Sequence, residues 1–148
     1  MKKPEDYYKF IEPISDQINI CDSADVFLNS YSAAKQPAAL LYAAHFAQSE
    51  ICNGGFDQLF FNSTGVLSPE AVQGFQLIGM HKTASLLASA MEALGSPFPR
   101  GRDERQKLLE NVPDGLLDKL DRIFFVEIGN ENGGFEVAAN AFIGNLDD

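Results

Sequence analysis

Residues 50–65 read Glu-Ile-Cys-Asn-Gly-Gly-Phe-Asp-Gln-Leu-Phe-Phe-Asn-Ser-Thr-Gly, and this stretch decides the fold. Residues 37–52, just upstream, are rich in Ala and Leu and apolar almost all round, which is typical of a helix covered by protein on most sides. Asn53-Gly54-Gly55 is expected to end that helix, because paired glycines readily reach the left-handed backbone conformation of helix ends. A second, short helix is expected to begin at Phe56. The stretch therefore predicts a corner between two helices.

Glu50 is the charged residue of this corner. On a helical projection it falls on the same side as Ala43 and Ala47, so its carboxylate is expected to point toward packed side chains. A buried charge needs partners, and the nearest donors in sequence are the backbone N–H groups of the glycine turn and of the first turn after it. Gln58 and Asn62 are four residues apart, and we expect them to bond to each other or to brace the following loop. We assign a structural role to Glu50, Asn53, Gly54, Gly55, Phe56, Gln58, Phe60 and Asn62.

The rest of the chain predicts more helices and no persistent strand pattern. Ser68-Pro69-Glu70 is the clearest helix start, since it combines a capping hydroxyl, a proline in the first turn and an early carboxylate. We predict a single all-α domain over residues 1–148, a bundle of about six to eight helices built around the Ala-rich helix and the corner. The other predicted helices cover residues 4–20 with a break at Pro13, 24–35, 69–78, 80–94, 103–111, 114–128 and 134–143. The side of helix 114–128 expected to be buried carries Leu116, Leu117, Leu120, Ile123 and Phe124.

A second Asn-Gly-Gly-Phe tetrapeptide occupies residues 132–135. Each copy follows a Glu-Ile pair, Glu50-Ile51 in one case and Glu127-Ile128 in the other. A second glycine corner is the simpler interpretation. Duplication of a helix–corner–helix unit is the alternative, which the unmatched surroundings disfavour.

Composition limits the classes of function. The chain carries 11 basic and 21 acidic residues, a net charge of −10, which disfavours direct binding to nucleic acid or to an anionic membrane and suits a basic partner. Two cysteines, Cys21 and Cys52, form no metal-like pair, and the N-terminus has no apolar signal core. No apolar run approaches the ~20 residues of a membrane span. We therefore expect a cytoplasmic protein without a membrane segment.

Most of the negative charge lies in the last third of the chain. Residues 102–148 contain 5 basic and 11 acidic side chains, a net charge of −6. Asp114, Asp118 and Asp121 are expected on one face of a helix, about 6 and 4.5 Å apart along its axis, a spacing that could imitate a row of phosphates. A solvated face diluted by Lys119 and Arg122 is the plainer alternative. The residues proposed to bind a partner are Glu110, Asp114, Asp118, Asp121, Glu131 and Glu136.

The pattern Glu-x-x-Asn-Gly-Gly-Phe-x-Gln-x-Phe-x-Asn-x-x-Gly, at residues 50–65, resembles the hallmark of a bacterial family of DNA-mimic type, mostly catalogued as a domain of unknown function. Weaker matches are Pro69-Glu70-Ala71, Ile78-Gly79 and the segment from Leu120 to Phe124, so the resemblance covers roughly residues 38–143. It implies an all-helical fold. It also implies that, in at least one family member, an acidic surface binds a DNA-binding protein in place of DNA. It implies no known catalysis.

A catalytic or ligand-binding site beside the corner is the alternative function. His45, Gln48, Ser49 and Cys52 share a polar stripe of the Ala-rich helix, and a Cys–His pair can activate a thiolate. Seven residues separate His45 from Cys52, about 10.5 Å along a helix, which is too far for a hydrogen bond. His45, His81 and Cys52 show no recognised metal-ligand spacing. We therefore expect a non-enzymatic acidic interaction protein that needs no cofactor or metal, with a protein partner and a homodimer as candidate assemblies. The alternative is a small-molecule-binding protein or small enzyme.

Overall fold

The computed structural model describes residues 6–146, and within that range it consists of helices and turns. The all-α prediction is confirmed, while the predicted helix start at Pro4 lies outside the described residues. The 3₁₀ turns are Glu12–Asp16, Ser63–Leu67 and Glu131–Gly133. The α-helices are α1 Tyr7–Ile11, α2 Ala24–Ser32, α3 Ala38–Phe61, α4 Ser68–Leu77, α5 His81–Glu92, α6 Arg102–Leu109, α7 Leu116–Asn130 and α8 Phe135–Gly144.

Helix α3 is the centre of the bundle, as its apolar composition predicts. It contacts α1, α4, α6 and α7, and its buried residues run from Ala38 to Phe60. The closest approach is to α4, where a Cβ on Gly74 would lie 2.3 Å from the backbone carbonyl oxygen of Leu40. Glycine at this position therefore lets α3 and α4 pack together more closely than any side chain would allow.

The predicted boundaries around α4 are largely confirmed. Helix α4 begins at Ser68, and Gly79 follows its end with φ of 79°. The Ser68 hydroxyl does not cap the helix as expected, since it is buried and donates to the carbonyl oxygen of Gly65 at 2.8 Å. Residues 96–101 form a non-helical connection, in which the half-buried Phe98 ring packs 5.6 Å from that of Phe60.

Helix α7 differs from the prediction in two respects. It begins at Leu116, after Gly115 in the left-handed conformation, so Asp114 lies outside the helix and does not form a helical row with Asp118 and Asp121. Leu116 and Ile123, predicted to be buried, are 39% and 49% exposed. Each of these two residues precedes a buried one by a single position, about 100° around the helix, and the core takes only the face of Leu117 and Phe124.

The two tetrapeptide phenylalanines meet in one aromatic cluster at the centre of the core. The Phe56 ring lies 5.4 Å from Phe124, Phe124 lies 6.2 Å from Phe75, and Phe75 lies 5.9 Å from Phe135. The Phe135 ring then packs edge-on against Tyr7 of α1 at 5.3 Å. These contacts tie α1, α3, α4, α7 and α8 to a common core, in which such rings contribute large buried areas.

Candidate functional site

The corner at Asn53–Phe56 breaks α3 where the sequence predicts a break. Gly54 has φ −151° and ψ 21°, and Gly55 has φ 76° and ψ −178°, a conformation accessible almost only to glycine. The freed backbone N–H of Phe56 donates to Oδ1 of Asp121 on α7 at 2.8 Å. A Cβ on Gly55 would lie 2.4 Å from Oδ2 of the same carboxylate. Glycine is therefore required twice here, for the backbone angles and for the approach of α7.

Glu50 lies half-buried beside this corner, but its partners are not those predicted. Its Oε2 accepts hydrogen bonds from Nε2 of Gln58 and Nδ2 of Asn62, both at 2.9 Å, and within residues 6–146 no main-chain amide donates to this carboxylate. The expectation of backbone donors was wrong, because Asp121 takes the Phe56 amide. Gln58 and Asn62 both bond to Glu50 instead of to each other. Asn53 completes the network by donating to Oε1 of Gln58 at 3.1 Å.

The six acids predicted to face a partner fall into two groups. Glu110, Asp114, Asp118 and Glu136 are exposed. The other two, Asp121 and Glu131, are half-buried and hold the fold together. Glu131 caps the start of α5, where its carboxylate accepts from the backbone N–H groups of Lys82 at 2.7 Å and Thr83 at 2.8 Å and from the Thr83 hydroxyl at 2.8 Å.

The pKa values of these two structural carboxyls move in opposite directions. Burial raises the pKa of Asp121, as do the neighbouring carboxylates of Asp118 and Asp57, and the single bond from Phe56 does not reverse the shift. Burial also acts to raise the pKa of Glu131, but the bonds from Thr83 and Lys82 outweigh it, so the pKa is lowered.

Asp57 is an acidic residue of this region that the sequence did not single out. Asp57 follows Phe56, whose amide bonds to Asp121, and Asp118 lies one turn before Asp121 on α7, so three carboxylates gather where α7 packs on the corner. We call Asp57, Asp118 and Asp121 the corner acids. Asp57 and Asp118 are exposed, and their side chains make no hydrogen bond within residues 6–146. Sixty-one positions separate these two residues in the chain, so only the tertiary packing brings them together.

Three arginines lie around the C-terminal end of α3, a few residues beyond the corner, and sequence reasoning missed them. Arg105 is 1% exposed and donates to the carbonyl oxygens of Phe60 and Asn62, both at 2.9 Å, and Arg102 donates to that of Phe61 at 3.0 Å. These carbonyls end the helix, where they lack intrahelical partners and carry the negative end of the dipole. Burial lowers the pKa of Arg105 to about 10, with further lowering from Arg102 and Arg100.

Arg100 forms the ion pair of the described structure. Among residues 6–146, the only Lys or Arg within 4.0 Å of a carboxylate is Arg100, whose Nη1 lies 2.6 Å from Oε1 of Glu70. The same guanidinium donates to the carbonyl oxygen of Val66 at 2.7 Å. The remaining carboxylates in this range are therefore not neutralised by a neighbouring base.

A shallow polar cavity of about 510 Å³ lies beside the corner, lined by Gln48, Ser49, Glu50, Cys52, Asn53 and Gln58. Burial raises the pKa of the Cys52 thiol, whose Sγ lies 3.9 Å from Oε1 of Gln48. His45 instead shares a hydrogen bond with the Tyr7 hydroxyl, 2.9 Å from its Nδ1, and burial lowers its pKa. A protonated thiol and a neutral imidazole with other partners do not form a nucleophile and base pair.

Neither cysteine is in a disulfide, so Cys21 and Cys52 are free thiols. In the part of the chain that the structure describes, no group of three or more His, Cys, Asp or Glu side chains is arranged to hold a metal ion. None of the helices in that part combines the length and the apolar character needed to cross a bilayer.

Comparison with known proteins gives a family. Searches of curated proteins and of solved structures returned no match. The sequence does match the family described as DMP19-like protein over residues 32–144, which contain α3 to α8 and both Asn-Gly-Gly-Phe corners. This match spans more than half of the 148 residues, and the chain therefore belongs to the DMP19-like protein family.

Proposed function

We propose that this protein acts without catalysis by presenting an acidic face to a basic protein, and that a DNA-binding protein is the partner. The observation that carries the proposal is the unpaired charge. The chain has a net charge of −10, yet among residues 6–146 only Glu70 is matched with a base at ion-pair distance. A surface of this kind attracts a basic partner over a Debye length of roughly 8 Å at physiological salt.

The three arginines around the C-terminal end of α3 leave the corner acids unpaired. Arg100, Arg102 and Arg105 all donate to backbone carbonyls around the end of α3. Their guanidinium groups are thus held at the C-terminal end of α3, and none of them pairs with the corner acids at the kink a few residues earlier in the same helix. The resemblance to a DNA-mimic family supports the choice of a DNA-binding protein as the partner.

The partner-binding face differs from the row read in the sequence. Asp121 and Glu131 hold backbone amides, so their exposure to a partner is limited. Asp57 and Asp118 are the exposed members of the corner acids, and we place the centre of the face on them. Glu110, Asp114 and Glu136 are exposed and extend the acidic surface.

Affinity capture from the host lysate with a matched pair of variants tests this function. We expect the Asp57→Asn/Asp118→Asn double variant to lose the bound proteins, and we expect added salt to release them from the wild type. Glu12→Gln/Asp16→Asn is the control, because it removes the same two charges from exposed side chains of the Glu12–Asp16 turn. The proposal requires that the captured proteins include a DNA-binding protein that DNA competes away. Equal losses in both double variants, or salt-resistant capture, would contradict it.

We also propose that a second copy of the chain docks on the outer side of α7. Leu116, Ile123 and Val126 are 39%, 49% and 56% exposed, and their spacing of seven and three residues is that of a coiled-coil seam. Sedimentation equilibrium of wild type and Ile123→Glu checks this. The wild type is expected to dimerise and the variant to stay monomeric with an unchanged helix content. A monomeric wild type at high concentration would rule the dimer out.

The polar cavity beside the corner favours a second candidate function, the binding of a small polar molecule. Gln48 and Ser49 line it without belonging to the Glu50 network. Substituting Gln48 and Ser49 with Ala should then abolish ligand binding and leave partner capture unchanged, whereas Asp57→Asn/Asp118→Asn should do the reverse.

The free thiols of Cys21 and Cys52 are typical of a protein in a reducing compartment, and we propose that this protein is cytoplasmic.

A further inference from the structure

A cavity with arginine side chains in its wall lies on the side of the molecule where the starts of α2 and α6 meet the Ser63–Leu67 turn. Its volume is about 370 Å³, within the roughly 300–1,000 Å³ typical of small-molecule sites. Arg100, Arg102 and Arg105 all line it. None of the residues assigned to the acidic face or to the corner belongs to this wall.

The guanidinium groups of this cavity are held in place, and that of Arg102 is not saturated. Arg102 is anchored through Nε on the carbonyl oxygen of Phe61, and its two terminal nitrogens have no acceptor within residues 6–146. Arg105 is buried, and each of its three guanidinium nitrogens already donates to a carbonyl oxygen, that of Phe60, Asn62 or Arg100. An anchored guanidinium group with free terminal N–H donors, such as that of Arg102, is preorganised to bind an anion.

Positive charge is crowded at this point. Burial destabilises the charged form of Arg105, and repulsion from the charges of Arg102 and Arg100 destabilises it further. Glu70 is the one carboxylate in ion-pair contact with these arginines among the described residues, and it is bound to Arg100. An anion placed between the guanidinium groups would relieve the repulsion.

Backbone donors add to the side chains. Ser23 and Gly101 precede α2 and α6, and neither start has a side-chain cap, so the first N–H groups of both helices keep their capacity to donate. Residues of both first turns line the cavity, including Ala24 and Arg102. Two helix starts and a set of guanidinium groups on one cavity are complementary to an oxyanion.

Three acidic residues, Asp22, Asp103 and Glu104, also line the cavity. None of them lies within ion-pair distance of a guanidinium nitrogen, so they leave the terminal donors of Arg102 free. They do oppose general accumulation of anions, which favours a ligand that makes several directed hydrogen bonds. We propose that this cavity binds a phosphate-type oxyanion, either free phosphate or the phosphate group of a small phosphomonoester.

Isothermal titration of the full chain at constant ionic strength tests the site, with inorganic phosphate in one arm and a sugar monophosphate in the other. Arg102→Gln removes the free terminal donors from an exposed residue, and Lys107→Gln removes the same charge from an exposed position on α6 outside the cavity. We expect saturable binding by wild type and Lys107→Gln, and a Kd raised about tenfold or more in Arg102→Gln, the effect of losing charged hydrogen bonds.

The tighter of the two ligands identifies the source of the phosphate group. Thermal melts of both variants without ligand show that each is folded. A site with a Kd of about 1 mM would be almost fully occupied at about 10 mM ligand. If neither ligand shows saturable binding at that concentration, the proposal is overturned. Equal weakening in Arg102→Gln and Lys107→Gln also overturns it, because the attraction would then be a general effect of charge.

Discussion

At Asn53–Phe56 the chain turns inside α3, whereas at Asn132–Phe135 the same four residues lie between α7 and α8. The glycine before each phenylalanine adopts nearly the same conformation, φ 76° and ψ −178° at Gly55 and φ 93° and ψ 165° at Gly134. Both phenylalanines then enter the aromatic cluster around Phe75 and Phe124. The tetrapeptide thus fixes the backbone conformation at the start of a helix and places a buried phenylalanine in its first turn.

The two corners differ in what surrounds that backbone. Behind Gly55 lies the carboxylate of Asp121, a side chain from another helix, whereas behind Gly134 lies the backbone carbonyl of Gly129, from the end of α7. Asn53 bonds locally to Gln58, but Asn132 has φ of 53° and donates to the carbonyl oxygen of Ile78 after α4. The shared residues fix the turn, and the packed neighbours decide which polar groups complete it.

The largest effect is expected from Gly→Ala substitutions at the two corners. Gly55→Ala should lower the free energy of unfolding by about 3 kcal/mol or more, because it combines backbone strain of roughly 1–3 kcal/mol with a clash against the Asp121 carboxylate. Gly134→Ala carries the same strain and a clash with the Gly129 carbonyl, 2.9 Å away. Urea denaturation measures both. Gly129→Ala is the control, since its Cβ would meet nothing within 4 Å.

A double-mutant cycle separates the two corners. In an Asp121→Ala background the side chain behind Gly55 is gone, so Gly55→Ala should cost less than in the wild type, while the cost of Gly134→Ala should be unchanged. Identical coupling at both positions would mean that the difference in packing behind the two glycines has no energetic consequence.

The next effect concerns the carboxylates that complete the helix starts. Glu131→Ala leaves two backbone amides and the fully buried Thr83 hydroxyl without their acceptor, whereas Asp121→Ala leaves only the Phe56 amide. Each buried donor left unpaired costs about 1–3 kcal/mol, so Glu131→Ala should lower Tm more than Asp121→Ala. Thermal melts by circular dichroism check the order. Asp118→Asn, which changes an exposed carboxylate of the same helix, should shift Tm little, and a reversed order would contradict this account.

Much of the helical architecture could be predicted from the sequence, because it depends on local signals. The glycine pairs, Ser68-Pro69-Glu70 and the apolar composition of residues 37–52 each act within a turn or two of chain. The outward Leu116 and Ile123 were predicted wrongly since the apolar stripe of α7 is wider than the face that the core covers. A sequence shows how apolar a helix is, but not how much of it finds a neighbour.

The polar contacts of the candidate site were harder to predict because they join residues far apart in the chain. Asp121 reaches Phe56 across 65 positions, and Arg105 reaches Phe60 across 45. Arg105 sits in the charged helix Arg102–Leu109, where nothing in the local pattern marks one arginine as buried. The corner acids were likewise divided between two predicted regions. Such pairings follow from the packing of α6 and α7 on α3.

The smallest effect is a pH dependence of opposite sign at the two carboxylates. The pKa of Glu131 is lowered from 4.5 in the folded state, so its contribution to stability is present above that value and is lost as the pH falls through the folded pKa. The pKa of Asp121 is raised above 3.8 in the folded state, so the folded state binds this proton more tightly than the unfolded state does. The resulting contribution to stability is present below pH 3.8 and is lost as the pH rises through the folded pKa.

Neutral analogues make this difference measurable. Asp121→Asn keeps an oxygen acceptor for Phe56 and removes the repulsion from Asp118 and Asp57, so at pH 7 it should be as stable as the wild type or slightly more so, with the gain disappearing in acid. Glu131→Gln should be less stable than the wild type at pH 7, with the deficit shrinking in acid. Melts over roughly pH 3–7 should show shifts of less than about 1 kcal/mol for Asp121→Asn, because solvent screens partly exposed carboxylates. If the stability difference from the wild type changed with pH in the same direction for both variants, the two carboxylates would experience the same environment. That result would contradict the hydrogen-bond geometry described above.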